Sequence, residues 1–331
     1  MFEGKTVLIT GGTGSLGYAL TKKLLDLKVK QIRIFSRNEL KQIEMESQFN
    51  DQHLRFLVGD IRDLSRLIMA TEDVDFVFHA AALKHVPKIE YNPFEAIKTN
   101  VHGSQNVIDA CLQNNVEKAI CIGTDKAVSP LNTYGATKLL MEKLFVTAQR
   151  YSNPKKHRTT FSAVRYGNVF GSSGSVFPKF IQQIKNNQKI TMTDSTMTRF
   201  NITMNNALDF ILKAASYSKG SEIFIPKLKS YVLSDVKNAL NELLIDTGNE
   251  SIGIRPGEKL HEVLINEDEI FNAFEYENMY MILDPQYNRE KIEQVYPKIQ
   301  KISDMKKYSS DVAEKLSISE LKSLVQNSGL L

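Results

Sequence analysis

The run TVLIT at 6–10 passes without a break into GGTGSLG, and leucines then follow at 16, 20, 24 and 27. A β-rich run, a glycine turn and apolar residues at helical spacing predict a strand, a tight turn and a helix in immediate succession. This unit restricts the fold more than anything else in the chain. Gly11, Gly14 and Gly17 form G-x-x-G-x-x-G, which lets the backbone turn sharply and approach a ligand closely. The helix behind them presents its N-terminal N–H groups to a pyrophosphate. The expected fold class is therefore α/β, a doubly wound parallel Rossmann sheet.

Further strand-like runs fall at 32–35, 55–58, 76–78, 119–122 and 161–165. A chain of 331 residues exceeds what one hydrophobic core usually supports, so a second lobe is expected. The pattern changes after 165, and 222–226 reads as a strand returning to the sheet. The predicted division is a dinucleotide-binding domain at 1–165, a smaller interleaved substrate-binding lobe at 166–284, and a C-terminal extension at 285–331 with a helix at 319–326.

The balance of 42 Lys and Arg against 38 Asp and Glu, with no long basic block, gives no support to a nucleic-acid partner. No apolar run approaches the roughly 20 residues of a membrane span, and no signal-peptide pattern is seen, so a soluble cytoplasmic protein is expected. Cys111 and Cys121 read as reduced, buried thiols.

The end of the second strand selects the dinucleotide. A carboxylate there would hold a ribose 2′-hydroxyl, but the residues are Ser36, Arg37 and Asn38, with Lys41 and Gln42 one turn on. That set suits a 2′-phosphate, so NADP is expected over NAD. Asp60, in a turn after the third strand, is placed to accept from an adenine amino group, and equally reads as a plain turn residue. After the fourth strand, Ala80 and Ala81 would let a cofactor lie against backbone, and His79 reads as a packed core residue. Lys84 reaches either a phosphate or solvent. No metal-binding spacing is present.

The stretch TDKAVSPLNTYGATK, 124–138, carries the candidate chemistry. Thr124, Asp125 and Lys126 sit where a parallel strand ends, the edge at which such sheets bind ligands. Asn132 is an expected N-cap, which puts Tyr134 and Lys138 four apart on one helix face. The expectation is an ammonium beside a phenol, lowering its pKa from about 10 so that it can take a proton from a substrate hydroxyl. Arg199 in MTRF and Arg255 in RPGEK each offer a guanidinium for a diphosphate, or a surface ion pair.

With TDKA, YGATK, AALKHVP, YGNV, MTRF and IRPGEKLHE in hand, the chain resembles the extended short-chain dehydrogenase/reductase superfamily. More narrowly, from Lys5 to about Tyr280 it is similar to the soluble C5-inverting UDP-N-acetylglucosamine 4,6-dehydratases that begin pseudaminic acid synthesis. The resemblance implies that Tyr134 is the base for C4 oxidation and Lys138 holds the nicotinamide ribose. Asp125 and Lys126, beside Thr124, would handle the elimination. It further implies that Thr13, Ser15 and Leu16 join the glycines around NADP, with Ile61, Asn100 and Val169. Lys84, Asn168, Val176, Arg199, Arg255 and Glu258 would line the UDP-sugar. The family shows Gly-Ser-Arg-Gly-Ser-Val where this chain has Ser173 in place of the arginine, removing a charge near the substrate. A homo-oligomer is also implied. The alternatives are a UDP-N-acetylhexosamine 4-epimerase, a related 4,6-dehydratase/5-epimerase, and a catalytically silent dinucleotide-binding regulator.

Overall fold

The computed structural model describes residues 1–172, 175–286 and 289–331, with 289–291 described by backbone alone. The first six strands are β1 (Thr6–Thr10), β2 (Gln31–Ser36), β3 (Leu54–Val58), β4 (Phe76–His79), β5 (Lys118–Ile122) and β6 (Thr160–Val164). They pair in parallel in the order β3-β2-β1-β4-β5-β6, and Ile223–Pro226 adds in parallel to β6. β1 and β4 are buried at every residue, as strands covered by crossover helices on both faces must be. The strand order reverses between β1 and β4, and there the carboxyl ends open into a crevice. This is the doubly wound α/β fold the sequence predicts.

The sheet then continues further than expected. Besides Ile223–Pro226, three antiparallel segments join it, Met279–Ile282, Ala273–Tyr276 and Gln300–Lys301, giving ten strands among the described residues. The single returning strand at 222–226 is therefore one of four. Their cause is legible in the chain: Glu277 and Asn278 both take positive φ, 49° and 63°, the turn that closes a two-residue hairpin. Met279 and Met281 then pack into one core cluster and Tyr280 and Ile282 into the other, so both faces of the added strand are buried.

A three-stranded sheet in the second lobe joins Ser230–Val232, Thr198–Ile202 and Asn168–Val169. The expected C-terminal extension is integrated into this body. Tyr308–Ser309 pairs with Val263–Ile265, and the helix Ile318–Gln326, opened by a Ser317–Glu320 capping box, buries Leu321 and Val325 beside Phe177 and Tyr231.

Between β4 and β5 the chain is helical over 93–113, but Ile97–His102 is wound more widely than an α-helix. Such widened turns recur at functional sites, because they redirect side chains that an α-helix would place elsewhere. Here the widened turn brings in buried Thr99 and Asn100. His79 is fully buried, stacked on Phe145 and bonded to the hydroxyls of Thr10 at 2.7 Å and Ser104 at 3.0 Å. Burial and the Lys138 charge push its pKa down to about 3. The unfolded chain thus binds one more proton than the folded one between that value and about 6.5, so stability rises with pH across the window. Chemical denaturation is expected to show wild type losing about 2 kcal/mol from this group between neutrality and about pH 5, a loss missing in His79→Asn. Equal slopes in the two proteins would contradict this.

Cys111 and Cys121 are free and buried, and burial pushes the Cys121 thiol up to about 12. No helix among the described residues is long and apolar enough to cross a membrane.

Candidate active site

The site grows from the carboxyl end of β5. Gly123 follows the strand where a side chain would collide with the Val164 carbonyl, and the chain then turns through a single tight helical turn, Asp125–Ala127. The Asp125 N–H donates to the Tyr166 carbonyl at 3.0 Å, and the Thr124 hydroxyl donates to Asp125 Oδ1 at 2.9 Å. Next comes the helix Thr133–Tyr151, whose cap is Asn132: its side-chain oxygen accepts from the Gly135 N–H at 2.8 Å. Its amide nitrogen donates to the Gly257 carbonyl at 2.8 Å, tying the helix start to the RPGEK loop of the second lobe. Any side chain at Gly135 would strike the Lys126 carbonyl, so this glycine lets the helix start directly beneath the lysine.

Tyr134 therefore faces Lys126 and Asp125. Its phenol is raised by burial, with the Lys126 charge and a Thr124 hydrogen bond acting the other way. The structure corrects the expected pairing with Lys138. That side chain is 4 % exposed and donates to the Ile122 carbonyl at 2.6 Å and to the Met141 sulfur at 3.0 Å. Burial lowers its pKa. Spacing puts the two residues on one face, but the lysine is drawn beneath the helix to the carbonyl at the end of β5, and the cation acting on the phenol is Lys126.

Lys126 lies among three acceptors, Asp125 Oδ1 at 3.1 Å, Asn168 Oδ1 at 3.2 Å and Glu262 Oε1 at 3.3 Å. Burial opposes its charge, but the Asp125 and Glu262 carboxylates outweigh burial and hold the ammonium's pKa well above the usual lysine range. Asp125 is raised by burial. One oxygen of each of Asp125, Glu258 and Glu262 is buried without a hydrogen-bond partner. Buried acceptors without a partner are expected where a ligand brings donors.

Glu262, the last residue of IRPGEKLHE, joins the site with no local signal in the sequence to mark it. This residue is 3 % exposed, and its N–H donates to the Ser310 hydroxyl at 2.8 Å. Burial disfavours its charge, yet Lys126, Arg199 and Lys259 hold its pKa below the usual value. Arg199 is 7 % exposed and engaged with the carbonyls of Thr198, Leu260 and Lys259 and with Glu258 at 3.4 Å. Arg255 and Lys84 are exposed and Val176 opens the helix Val176–Lys185. Ser173 lies outside the described residues.

At the crevice, Gly11 has φ +68°, and a Cβ there would come 2.9 Å from the Ala81 backbone; a Cβ at Gly17 would strike the Gly12 carbonyl. Gly14 caps the helix Ser15–Asp26 with no side chain, leaving its N-terminus open to an anion beside Thr13, Ser15 and Leu16. Arg37 is exposed and 3.8 Å from Asp60, which Arg62 also grips at 2.7 Å. Burial would raise Asp60, but Arg62 and Arg37 hold it below the ordinary range. Asn38 caps its helix by accepting from the Lys41 N–H at 2.9 Å, and the Lys41 side chain is exposed. These groups fit a dinucleotide.

Two expected ligands of that dinucleotide are turned inward. Gln42 is 3 % exposed and donates to the Ser36 carbonyl, the Ser36 hydroxyl and the Leu57 carbonyl at 3.0–3.1 Å. Asn100 is fully buried, accepting from the Leu83 N–H at 2.8 Å and donating to the Leu83 carbonyl and Thr137. Each fixes the backbone that frames the crevice. Ile61 packs under Gly103, while Ala80, Ala81 and Val169 are half-buried along the opening.

A reversed-order parallel sheet with a glycine turn at its crevice and a Tyr-x-x-x-Lys helix beside it defines the short-chain dehydrogenase/reductase class. Within that class the chain belongs to the polysaccharide biosynthesis protein family, whose model matches residues 7–284. It is 49 % identical over 318 residues, 94 % of each chain, to the UDP-N-acetylglucosamine 4,6-dehydratase (inverting) of Campylobacter jejuni. It is 40 % identical to the UDP-glucose 4-epimerase of Rickettsia bellii, covering 99 % of this chain and 97 % of that one. Pen from Bacillus thuringiensis superposes over the whole of both chains with TM-score 0.91 at 41 % identity. The chain is thus an enzyme of the sugar-nucleotide dehydratase and epimerase type.

Proposed function

We propose that this chain is a C5-inverting UDP-N-acetylglucosamine 4,6-dehydratase that uses a regenerated NADP. The observation that carries the reading is the Asp125–Lys126 pair beside Tyr134. A 4-epimerase needs only the tyrosine's proton transfer, whereas elimination of water needs an additional acid and base. The 49 % identity to the Campylobacter enzyme supports the same reading. Bound NADP+ would accept hydride from C4 and return it to C6. Tyr134 takes the C4 hydroxyl proton, Asp125 protonates the departing C6 hydroxyl, and Lys126 removes the C5 proton acidified by the adjacent carbonyl. Gly11, Gly14 and Gly17 take the pyrophosphate, and Lys138 reaches the nicotinamide ribose only by leaving the Ile122 carbonyl. Lys84, Asn168, Arg199, Arg255 and Glu258 receive the UDP-sugar.

Residues 1–165 carry the dinucleotide and 166–284 the sugar nucleotide, in a cytoplasmic homo-oligomer whose product feeds pseudaminic acid or a related surface glycan. The Rickettsia relative favours epimerisation as the second reading. Mass spectrometry after incubation with UDP-N-acetylglucosamine separates the two: loss of one water supports dehydration, and unchanged mass with a new epimer contradicts it.

Ser36 and Arg37 put a hydroxyl and a cation where an NAD site has a carboxylate, and Arg62 adds a second cation nearby. Arg37→Ala is expected to weaken NADP+ about tenfold or more while leaving NAD+ nearly unchanged, as loss of a charge-assisted phosphate contact would. Titration calorimetry reads both. Equal weakening of the two cofactors would remove the 2′-phosphate role.

A further inference from the structure

Rested on the dehydratase reading, one step lacks a partner. Lys126 has three acceptors at hydrogen-bond or ion-pair distance, the arrangement of an ammonium, and an ammonium has no lone pair for the C5 proton. It must release a proton first, and among the described residues these three neighbours are placed to receive it. The Asn168 amide oxygen is not a base at neutral pH. Asp125 must hold its own proton to give to the C6 hydroxyl. Glu262 remains, 3.3 Å from the lysine nitrogen, with its second oxygen buried and unpartnered.

We propose that Glu262 is a positioning residue that takes the proton of Lys126 and so turns the lysine into the base for C5. A Lys126 N–H bond breaks and an O–H bond forms on Glu262. The freed nitrogen pair takes the C5 proton, and the C5–H electrons form the C5=C6 bond as the C6–O bond breaks and Asp125 gives its proton to the leaving water. Lys126 is then an ammonium again, Glu262 is neutral and Asp125 is ionised. The Glu262 proton returns to Asp125 through Lys126, which bonds both, and C5 receives its proton from solvent.

At rest the surroundings hold the pair ionised, so the proton moves only transiently and against the charges that face Glu262. Facing Glu262 are Lys126 and Asp125 from the turn after β5, Arg199 at 3.7 Å from Thr198–Ile202, and Lys259 from the preceding loop. The Ser310 hydroxyl fixes its backbone from the C-terminal segment. The cations keep Glu262 ionised at rest, and the buried setting narrows the gap between an ion pair and a neutral pair.

The test is Glu262→Gln in the full chain loaded with NADP+ and mixed with UDP-N-acetylglucosamine. The amide keeps shape and an acceptor oxygen but cannot take the proton. Dehydrated product is expected to form on the order of 10²-fold more slowly. The absorbance of reduced nicotinamide is expected to build up, since C4 oxidation does not need Glu262. The rate is expected to climb again at high pH, where solvent strips Lys126, and Glu262→Asp, which keeps the carboxylate, should recover most of it. Product at the wild-type rate, or slow product with no reduced cofactor, would overturn the relay. A wild type that yields an epimer of unchanged mass overturns the dehydratase reading itself, independently of the variant.

Discussion

Replacing Tyr134 with Phe is expected to cut turnover of the UDP-sugar on the order of 10²-fold or more, with melting temperature and NADP affinity little changed. The phenyl ring fills the same space at the start of the helix Thr133–Tyr151, so the packing over Gly135 stays. What goes is the oxygen that receives the C4 hydroxyl proton. Because burial raises the phenol in the ligand-free protein, its acceptor form is scarce at neutral pH, and Lys126 and the Thr124 hydroxyl favour it. The wild-type rate is accordingly expected to increase with pH on the basic side, and Tyr134→Phe is expected to lose that limb. Stopped-flow absorbance adds a second readout, since the variant forms no reduced nicotinamide, unlike Glu262→Gln. Wild-type turnover in Tyr134→Phe would make the tyrosine structural.

The second large effect is on stability. Arg165 is fully buried just past β6, with Glu142 at 2.5 and 3.0 Å and Glu269 at 2.9 Å, and it also donates to the Leu264 carbonyl. Glu142 lies one turn beyond Lys138 on the same helix, and Glu269 belongs to the second lobe, so the guanidinium joins the sheet, the Tyr134 helix and the substrate side. Arg165→Met leaves two carboxylates without the cation bonded to them, one of them fully buried. Removing one member of such a group costs about 3–5 kcal/mol, which for a chain of this size lowers the melting temperature by about 4–7 °C. Burial works against Glu269, but Arg165 outweighs burial and holds it below the usual value. The stability this gives is present above about pH 4.5 and lost as pH falls through the folded-state value. The deficit of Arg165→Met is therefore expected to shrink in acid. Thermal unfolding by circular dichroism reads both, and an unchanged melting temperature would contradict the assignment.

Local signals carried much of this structure. The run 6–17 specifies its strand, turn and helix in consecutive residues, and Asn132 caps the catalytic helix where the spacing to Tyr134 requires. The parallel strands were readable because burial on both faces makes each a short apolar run. Orientation was less legible. Gln42 and Asn100 sit in motifs that surround a dinucleotide, yet a polar side chain near a ligand site can equally bind the backbone that shapes it. Lys138 has the right spacing, but its direction depends on the Ile122 carbonyl at the end of another element. Glu262 had no spacing signal at all: it reaches Lys126 only because the second lobe folds over β5, and the residues that hold it, Arg199 and Ser310, are distant in the chain.

In the proposed reaction C4 oxidation acidifies C5, water leaves across C5 and C6, and C5 is reprotonated from solvent on the opposite face. Reaction of the purified protein with UDP-N-acetylglucosamine in D2O, followed by NMR of the product, tests this most directly. The expected product is the 4-keto-6-deoxy sugar carrying one deuterium at C5 in the L-arabino configuration. A product that retains hydrogen at C5 would contradict it.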